Sequence, residues 1–191
     1  MSTTTTTPAT TSAPTLTTWK IDPAHSHAEF AIRHLMISTV KGRFGAVNGT
    51  VVTDESDLAR SKVEVTIDVN TIDTHEPQRD AHLKSPDFFD AEKHPTIDFR
   101  STRISDVASD NSEFKLIGDL TIHGVTREIT LHVTSEGRGK DPWGGERAGF
   151  SAQTKIKRSE FGLTWNQVLE AGGFVVGDDV KITVDVELVK Q

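Results

Sequence analysis

The chain has 191 residues, with 28 acidic and 21 basic side chains, a formal charge of −7 and no cysteine. This length suits one domain with a real hydrophobic core better than two. The acidic balance argues against nucleic acid as a partner, because binding to the phosphate backbone depends on a basic surface. The absence of cysteine excludes disulfides, thiolate metal sites and cysteine nucleophiles.

The first segment, 1–18, consists mostly of Thr, Ser, Ala and Pro. It carries neither side-chain charge nor an apolar run, so we expect a disordered tail followed by one folded domain over 19–191. The basic and then apolar stretches of a signal peptide are not present, and no window approaches the roughly 20 apolar residues of a membrane helix. These features predict a cytoplasmic protein without a membrane span.

Alternation of apolar and polar residues predicts about eight antiparallel strands, each with one dry face. The clearest alternation lies at 63–69 and 180–188, where Val, Ile and Leu take every second position. Weaker examples lie at 26–34, 40–53, 95–102, 114–122, 129–133 and 147–157. Because no helices alternate with these strands, the pattern predicts an all-β fold. We expect an eight-stranded antiparallel up-and-down barrel, whose closure removes the sheet edges; a sandwich is the alternative.

A polar, turn-rich segment at 73–90 follows the third strand and predicts a short helical insert. Thr74 can cap a first helix, and Pro77 is tolerated in its first turn. Ser85 followed by Pro86 gives a second helix-start signal, with Ser as the cap and Pro at the first helical position. The insert should therefore contain two short helices.

The insert carries both polar and aromatic groups. Arg79, His82 and Leu83 share one helix face by three- and four-residue spacing. Phe88 and Phe89 follow the second start signal and can act as apolar anchors. We expect the insert to cover one end of the barrel.

The dry strand faces mix aromatic residues with small ones. An eight-stranded barrel lies at the size where side chains either fill the interior or leave room for one small ligand. Small inward residues favour an open cavity, whereas the alternative is that neighbouring Phe rings fill the gaps. The predicted ligand-binding residues are Ala28, Phe30, Ile32, Phe44, Ile67, Leu83, Phe88, Phe89, Phe99, Leu116, Gly118, Phe150, Ala152, Phe161 and Trp165.

Polar residues from two segments are expected near one mouth of the cavity. Arg79 and His82 lie on the insert, and Arg158 and Asn166 lie in RSEFGLTWN. An Arg fork matches phosphate and carboxylate oxygens, so these four residues are candidates for holding a ligand headgroup. The alternative is internal, with an Arg paired to an insert carboxylate such as Asp80. For Asp80 itself, the structural role is favoured.

Metal and catalytic motifs are weak. His25 and His27 lie two apart near Asp22, a combination that can bind zinc. The favoured interpretation is that His25 hydrogen-bonds within the turn after Pro23 and that His27 is solvated. The G-x-S-x-G, P-loop and H-E-x-x-H motifs are not present. We therefore predict no metal, no cofactor and no catalytic residue.

Several segments, in order, resemble the YceI-like family. They are WKIDPAHSHAEFAIRHL at 19–35, VKGRFG at 40–45, DTHEPQRDAHLKSPDFFDAEKHPTIDF at 73–99, GDLTIHGVTREI at 118–129 and RSEFGLTWN at 158–166. The resemblance implies a lipocalin-like barrel that binds polyisoprenoid chains, such as isoprenoid quinones or polyprenyl phosphates, without enzymatic activity. Two departures stand out. Many members carry a secretory signal, and the family turn often reads GVT followed by Pro, where this chain has Arg127.

Residues and resemblance together predict a protein that binds, sequesters or carries a polyisoprenoid or other long-chain lipid, with a homodimer as a possible assembly. Each buried methylene contributes about 0.8 kcal/mol, and one neutral headgroup hydrogen bond nets about 1 kcal/mol. The tail should therefore dominate affinity. Two alternatives remain open: an enzyme acting on such a ligand, with His82 or His34 as acid–base groups, and a stress-related interaction module with a filled barrel.

Overall fold

The computed structural model describes residues 15–170 and 172–191. It contains one α-helix, α1 (Pro77–Lys84), and short 3₁₀ helices at Leu58–Arg60, Val69–Thr71 and Arg158–Phe161. The strands are β1 (Leu16–Ile21), β2 (His27–His34), β3 (Ser38–Phe44), β4 (Val47–Asp54), β5 (Lys62–Asp68), β6 (Ile72–Asp73), β7 (Thr96–Ser105), β8 (Glu113–Ile122), β9 (Val125–Lys140), β10 (Glu146–Lys157) and β11 (Val176–Lys190). No described helix is long and apolar enough to span a membrane.

The strands close into a barrel of eight positions, because three positions hold two strands end to end. β1 and β2 lie along the same edge of β11. β4 and β3 pair with β1 and β2, and β5 and β6 continue the sheet beyond them. From β5 the order β7, β8, β9, β10, β11 follows the chain, with every pair antiparallel. The predicted eight-stranded up-and-down barrel is confirmed.

The turns of the chain divide between two ends of the barrel. The turn between β2 and β3 connects His34 to Ser38 at one end of the barrel. β6 pairs with Arg43 and Phe44 of β3 and runs towards that same end, so the insert that follows β6 lies there too. Strand direction places the other loops in the same way. The end that carries the insert is called the insert end, and the opposite one the far end. Segments at the insert end are 35–37, 74–95, 123–124, 158–170 and 172–175, and those at the far end are 55–61, 106–112 and 141–145.

The barrel begins earlier than composition predicted. β1 starts at Leu16, and Thr17 and Thr18 pair with Thr53 and Val52 of β4. Threonine is β-branched and favoured in strands, so a Thr-rich stretch that reads as low complexity can still form one. The rest of the predicted tail, residues 1–14, lies outside the described residues.

The helix start also differs from the prediction. Glu76 caps α1, since its side chain accepts a hydrogen bond from the Gln78 N–H at 3.0 Å, and Pro77 takes the first helical position. Thr74 is not the cap. Its hydroxyl donates instead to the Asp80 carboxylate at 2.5 Å. Asp80 therefore has the structural role that the sequence favoured for it.

The Ser85–Pro86 signal starts a turn rather than a second helix. The Ser85 N–H donates to the His82 carbonyl at 3.1 Å and ends α1. The N–H groups of Phe88 and Phe89 then donate to the carbonyls of Ser85 and Leu83, each at 3.0 Å, so the chain folds back on itself. Proline disfavours a helical residue before it, which fits a helix that stops at Ser85.

Between β1 and β2, the 22–26 bend continues the hydrogen bonding to β11 through both backbone and side-chain groups. The Asp22 N–H donates to the Glu187 carbonyl at 2.8 Å, and the Glu187 N–H donates to Ser26 Oγ at 3.0 Å. The hydroxyl of Ser26 thus replaces a ladder carbonyl where the strand is broken. The N–H and carbonyl groups of Glu187 on β11 therefore both have hydrogen-bond partners across the break.

The Asp22 carboxylate anchors the same bend. It makes hydrogen bonds with His25 Nδ1 at 3.0 Å and Arg147 Nη1 at 2.9 Å, which lower the pKa of Asp22 to about 2. His25 therefore lies in the turn after Pro23, as the sequence favoured, and His27 is half-exposed on β2. Arg147 also binds Asp141 at 2.9 Å, so one guanidinium joins the bend to the β9–β10 turn.

Replacing Asp22→Asn should remove a pH-dependent part of stability. A carboxylate whose pKa falls from 3.8 to about 2 on folding stabilises the fold above pH 4, and that contribution is lost as the pH falls towards 2. We expect a loss of about 2 kcal/mol in unfolding free energy at pH 7 that shrinks between pH 4 and pH 2. Urea unfolding at several pH values measures this. The exposed Asp119→Asn is the control, and an equal loss at every pH would contradict the assignment.

Candidate ligand-binding cavity

An elongated cavity of about 460 Å³ occupies the barrel interior. Every strand except β6 contributes to its wall, and the wall extends from Leu58 and Ser61 at the far end to His82 and Trp165 at the insert end. This volume lies in the range of roughly 300–1,000 Å³ that is typical of ligand pockets. The interior is therefore open along the barrel axis rather than filled.

The dry face of each regular strand lines the cavity, as alternation predicted. On β5 these residues are Val63, Val65 and Ile67, and on β11 they run from Val180 to Leu188 at every second position. Their polar neighbours point outward, because successive side chains of a strand alternate between faces. Strand periodicity thus fixes most of the wall.

Two small residues lie in one row of the cavity wall. Ala28 of β2 and Ala152 of β10 both lie opposite Val184 of β11, and all three line the cavity. The same row continues to Phe44 on one side and Val133 on the other. Side chains that lie directly opposite in neighbouring strands are close, so short ones here leave space that larger ones would fill.

Two glycines lie beneath aromatic rings instead of facing the cavity. A Cβ atom on Gly118 would lie 2.6 Å from Cζ of Phe99, and one on Gly42 would lie 2.4 Å from Cζ of Phe30. Each glycine therefore lets a neighbouring ring lie against the barrel wall. Gly118 lies on the dry face of β8, as predicted, but the Phe99 ring lies between it and the cavity.

The other predicted ligand-binding residues lie on the cavity wall, with one exception. Phe161 belongs to the 3₁₀ helix after β10, is 1% exposed and packs into the buried core. A 3₁₀ turn breaks the period-two pattern, so the sequence could not show which way this ring points. Phe161 supports the insert end without reaching the cavity.

Aromatic side chains cover the cavity at the insert end. The His82 ring lies 5.0 Å from Phe88 and 4.9 Å from Trp165, and Phe88 lies 5.2 Å from Trp165. Phe89 meets Phe44 of β3 edge-to-face at 5.8 Å. Such offset and edge-to-face contacts stabilise aromatic pairs beyond simple burial. The insert is therefore packed against both β3 and the segment after β10.

Arg79 is the polar group that best suits a ligand headgroup. Its Nε donates to Thr74 Oγ1 at 2.8 Å and its Nη2 donates to the Thr74 carbonyl at 2.7 Å. Asp80 binds Thr74 from the other side, so the Arg79–Asp80 ion pair considered as the internal alternative is not formed. Arg79 lines the cavity, and its Nη1 has no hydrogen-bond partner among the described residues. A donor thus remains available at the insert end.

Arg158 has an internal role. It is 6% exposed, and its guanidinium donates to the carbonyls of Gly177 at 2.7 Å, Leu163 at 2.5 Å and Trp165 at 2.9 Å. Burial lowers the pKa of Arg158. The side chain touches the cavity wall, but its donors hold the segment after β10 against β11. This agrees with the internal alternative, although the partners are carbonyls rather than carboxylates.

Asn166 is not a headgroup ligand in this arrangement. Its amide nitrogen donates to the Val176 carbonyl at 2.7 Å, and its amide oxygen accepts from the Val176 N–H at 3.0 Å. Both ends of the amide are used to pair the loop with β11, and Asn166 does not line the cavity. Its predicted role is therefore corrected to a structural one.

Two features of the cavity ends were missed by the sequence analysis. At the far end, Arg138 lines the cavity and lies 5.4 Å from the centroid of the buried Trp19 ring. At the insert end, Ile37 and Val168 are 80% and 78% exposed. The Arg138–Trp19 contact joins residues that are distant in sequence, which local patterns do not reveal. The far end thus carries a polar group, and the insert end carries exposed apolar side chains as well as the Arg79 donor.

Comparisons with known proteins agree with this geometry. The pattern that defines the YceI-like domain matches residues 19–188. Protein YceI of Escherichia coli O157:H7 is 44% identical over 147 residues, 76% of this chain and 75% of that protein. The crystal structure of the Campylobacter jejuni YCEI protein is 34% identical, with a TM-score of 0.70 over 84% of this chain and 90% of that chain. A polyisoprenoid binding domain from Saccharophagus degradans has the same fold at 14% identity, with a TM-score of 0.63 over 91% and 98% of the two chains.

Enlarging the Ala152 side chain should reduce cavity volume without breaking the barrel. In Ala152→Phe the ring would occupy the middle of the cavity, where a ligand would otherwise lie. We expect roughly tenfold weaker binding of a fluorescent fatty-acid probe, equivalent to losing two buried methylenes at about 0.8 kcal/mol each. Fluorescence titration measures this, with circular dichroism as the check on folding. Ala31→Phe, on the outer face of β2, is the matched control, and unchanged probe affinity in Ala152→Phe would contradict the cavity assignment.

Proposed function

The chain belongs to the YceI-like family, and we propose that it binds and carries a long-chain isoprenoid lipid inside its barrel. The observation that carries this proposal is the cavity of about 460 Å³, whose wall is predominantly apolar along the barrel, with a few polar side chains towards its ends. A chain-like apolar molecule fits such a space better than a compact polar one. The polyisoprenoid binding named for the Saccharophagus degradans domain supports the same ligand class.

Energetics favour recognition of the tail. A five-carbon isoprenoid unit contributes roughly 2–4 kcal/mol on burial, before ordering costs, at about 0.8 kcal/mol per carbon group. A neutral headgroup hydrogen bond nets only about 1 kcal/mol. The number of buried units therefore sets affinity, and the headgroup orients the ligand. Low discrimination among lipids of similar length follows.

We place the headgroup at the insert end, beside Arg79. Of the four polar candidates, Arg158 and Asn166 are committed to backbone groups, whereas Arg79 keeps one nitrogen without a partner among the described residues. His82 lies on the same helix face, with Nε2 at 2.9 Å from Asp87 Oδ2. A phosphate or quinone oxygen near Arg79 would receive a charge-assisted hydrogen bond.

Carrying a ligand fits this site better than the two alternatives. An interaction module with a filled barrel conflicts with the open interior. An enzyme would need a positioned acid or base at the reacting atom, and His82 is held between Phe88 and Trp165 with Nε2 directed to Asp87. His34 touches the cavity wall and remains the residue to test with a quinone analogue.

Organic extraction of the purified chain followed by mass spectrometry tests the proposal. We expect a mixture of long-chain lipids from the expression host in stoichiometric amounts, and much less from Ala152→Phe. Titration with a series of isoprenoid alcohols should show affinity rising with each added unit. An empty parent chain whose affinity does not depend on tail length would overturn the proposal.

The substitution Arg79→Ala should weaken the binding of anionic lipids more than the binding of neutral lipids. A charge-assisted hydrogen bond contributes about 1.5–3 kcal/mol, so we expect roughly a tenfold or larger loss for a polyprenyl phosphate and little change for the matching alcohol. Competition against a fluorescent lipid probe measures both affinities. Lys84→Ala removes a positive charge from the same helix outside the cavity and serves as the control. Equal losses for both lipids, together with a lower melting temperature, would assign Arg79 to structure alone.

A further inference from the structure

A second cluster of polar side chains lies at the insert end, apart from the cavity. Asp90, His94 and His123 each offer a ligand atom, and these atoms all lie within 4.8 Å of one another. None of the three belongs to the cavity wall that the described residues form. The cluster joins the last turn of the insert to the β8–β9 turn, two segments that are distant in sequence.

The backbone brings these side chains together without help from a ligand. The Asp90 carbonyl accepts from the His94 N–H at 2.8 Å, which folds both residues onto one side of a tight turn. His123 and Gly124 form the two-residue turn between β8 and β9, with φ of 52° and 71°. A Cβ atom on Gly124 would lie 2.8 Å from Cε1 of His94, so glycine permits the close approach of the two turns.

The donor set suits a transition metal. Two imidazoles and one carboxylate are ligands that zinc, nickel, copper and ferrous iron share. The rings of His94 and His123 lie edge-to-face at 4.8 Å between centroids, with 70° between their planes. Bonds of about 2.0–2.1 Å in a tetrahedral site bring ligand atoms to roughly 3.4 Å of one another. The ligand atoms lie within 4.8 Å of one another, so a shift of about one ångström per atom would bring them to this spacing.

Asp90 is poorly compensated for a buried carboxylate. It is 8% exposed, and its Oδ2 accepts from Lys93 Nζ at 3.0 Å, yet the Lys93 side chain is 73% exposed. A buried charge is costly unless it is firmly paired or coordinates a metal. A flexible surface ammonium can leave to solvent when a dication arrives. The carboxylate is thus free to change partner.

The other cluster of this kind differs in that respect. Asp22, His25 and Glu187 also approach one another, but Arg147 donates hydrogen bonds to both carboxylates. A guanidinium has five donors, stays protonated and holds carboxylates firmly. That cluster already contains its cation, so the Asp90 cluster is the better metal site.

We propose that Asp90, His94 and His123 bind one divalent transition-metal ion, with zinc as the first candidate, and thereby fasten the end of the insert to the β8–β9 turn. Three protein ligands leave a fourth position for water. Copper should compete effectively with zinc, because it binds nitrogen and oxygen ligands more tightly. The proposal is independent of what occupies the barrel.

Calorimetric titration of the chelator-treated, dialysed chain with zinc chloride tests the site. We expect one ion per chain, and a rise in melting temperature of roughly 5–10 °C at a hundredfold excess over Kd. The test variant combines His94→Gln with His123→Asn, because asparagine tolerates the positive φ at position 123 and preserves the turn. This variant should bind zinc at least a hundredfold more weakly while keeping the parent's circular dichroism.

Control variants test whether zinc binds at this cluster rather than at other histidines. His25→Ala removes the second cluster, and His132→Ala removes an exposed imidazole on β9; both should bind zinc like the parent. Lys93→Ala should bind at least as tightly, because the competing ammonium is gone. The visible spectrum of bound Co²⁺ should show tetrahedral bands in the parent that the double variant lacks. Parent-like zinc binding in the double variant, or no stoichiometric binding by the parent, would overturn the proposal.

Discussion

Closure of the barrel on β11 is the constraint on which the rest of the structure depends. β11 pairs with β10 along one edge and with both β2 and β1 along the other. At the break between those two strands, Ser26 and the Asp22 backbone supply the hydrogen bonds that a continuous strand would have made. Because the wall satisfies its own backbone groups, the interior does not need to be packed by a second layer.

A hollow interior has an energetic consequence. Cavities left by core truncations are destabilising, at about 24 cal/mol per Å³. An unfilled space of about 460 Å³ in the barrel therefore lacks packing contacts that a filled core would make. An apolar ligand that fills the space restores the missing contacts. Ligand binding and barrel stability are therefore coupled by mass action.

Local patterns predicted the wall better than the ends. Period-two alternation is a property of each strand alone, so Val63, Val65 and Ile67 could be assigned to the interior before any pairing was known. The register between strands is not local. The rotation of the Phe99 ring over Gly118 depends on which residues lie opposite each other, and alternation could not reveal it. The sequence thus predicted which face is dry, but not how its side chains share the space.

The insert end was harder to predict because its side chains bind groups outside the regular strand ladders. Arg158 binds carbonyls of Gly177 and Trp165, and Thr74 is shared by Arg79 and Asp80. A charged residue in a polar segment looks the same in sequence whether it meets a ligand or a carbonyl. Resemblance to a family locates such segments, but the partner of each donor appears only in three dimensions.

Under the proposed function, the strand wall and the insert control different properties of a bound ligand. The strand wall determines how much apolar surface a ligand can bury, which sets affinity. The insert and the segment after β10 meet through the contacts of His82 and Phe88 with Trp165, and they must separate if a chain leaves by this end. This contact consists mainly of side chains, whereas the strands of the wall are joined by continuous backbone hydrogen bonds. The insert can therefore separate from the segment after β10 at a lower free-energy cost than two strands of the wall. For a ligand that exchanges through this end, exchange rate and affinity would therefore be set by different residues, and each could change without the other.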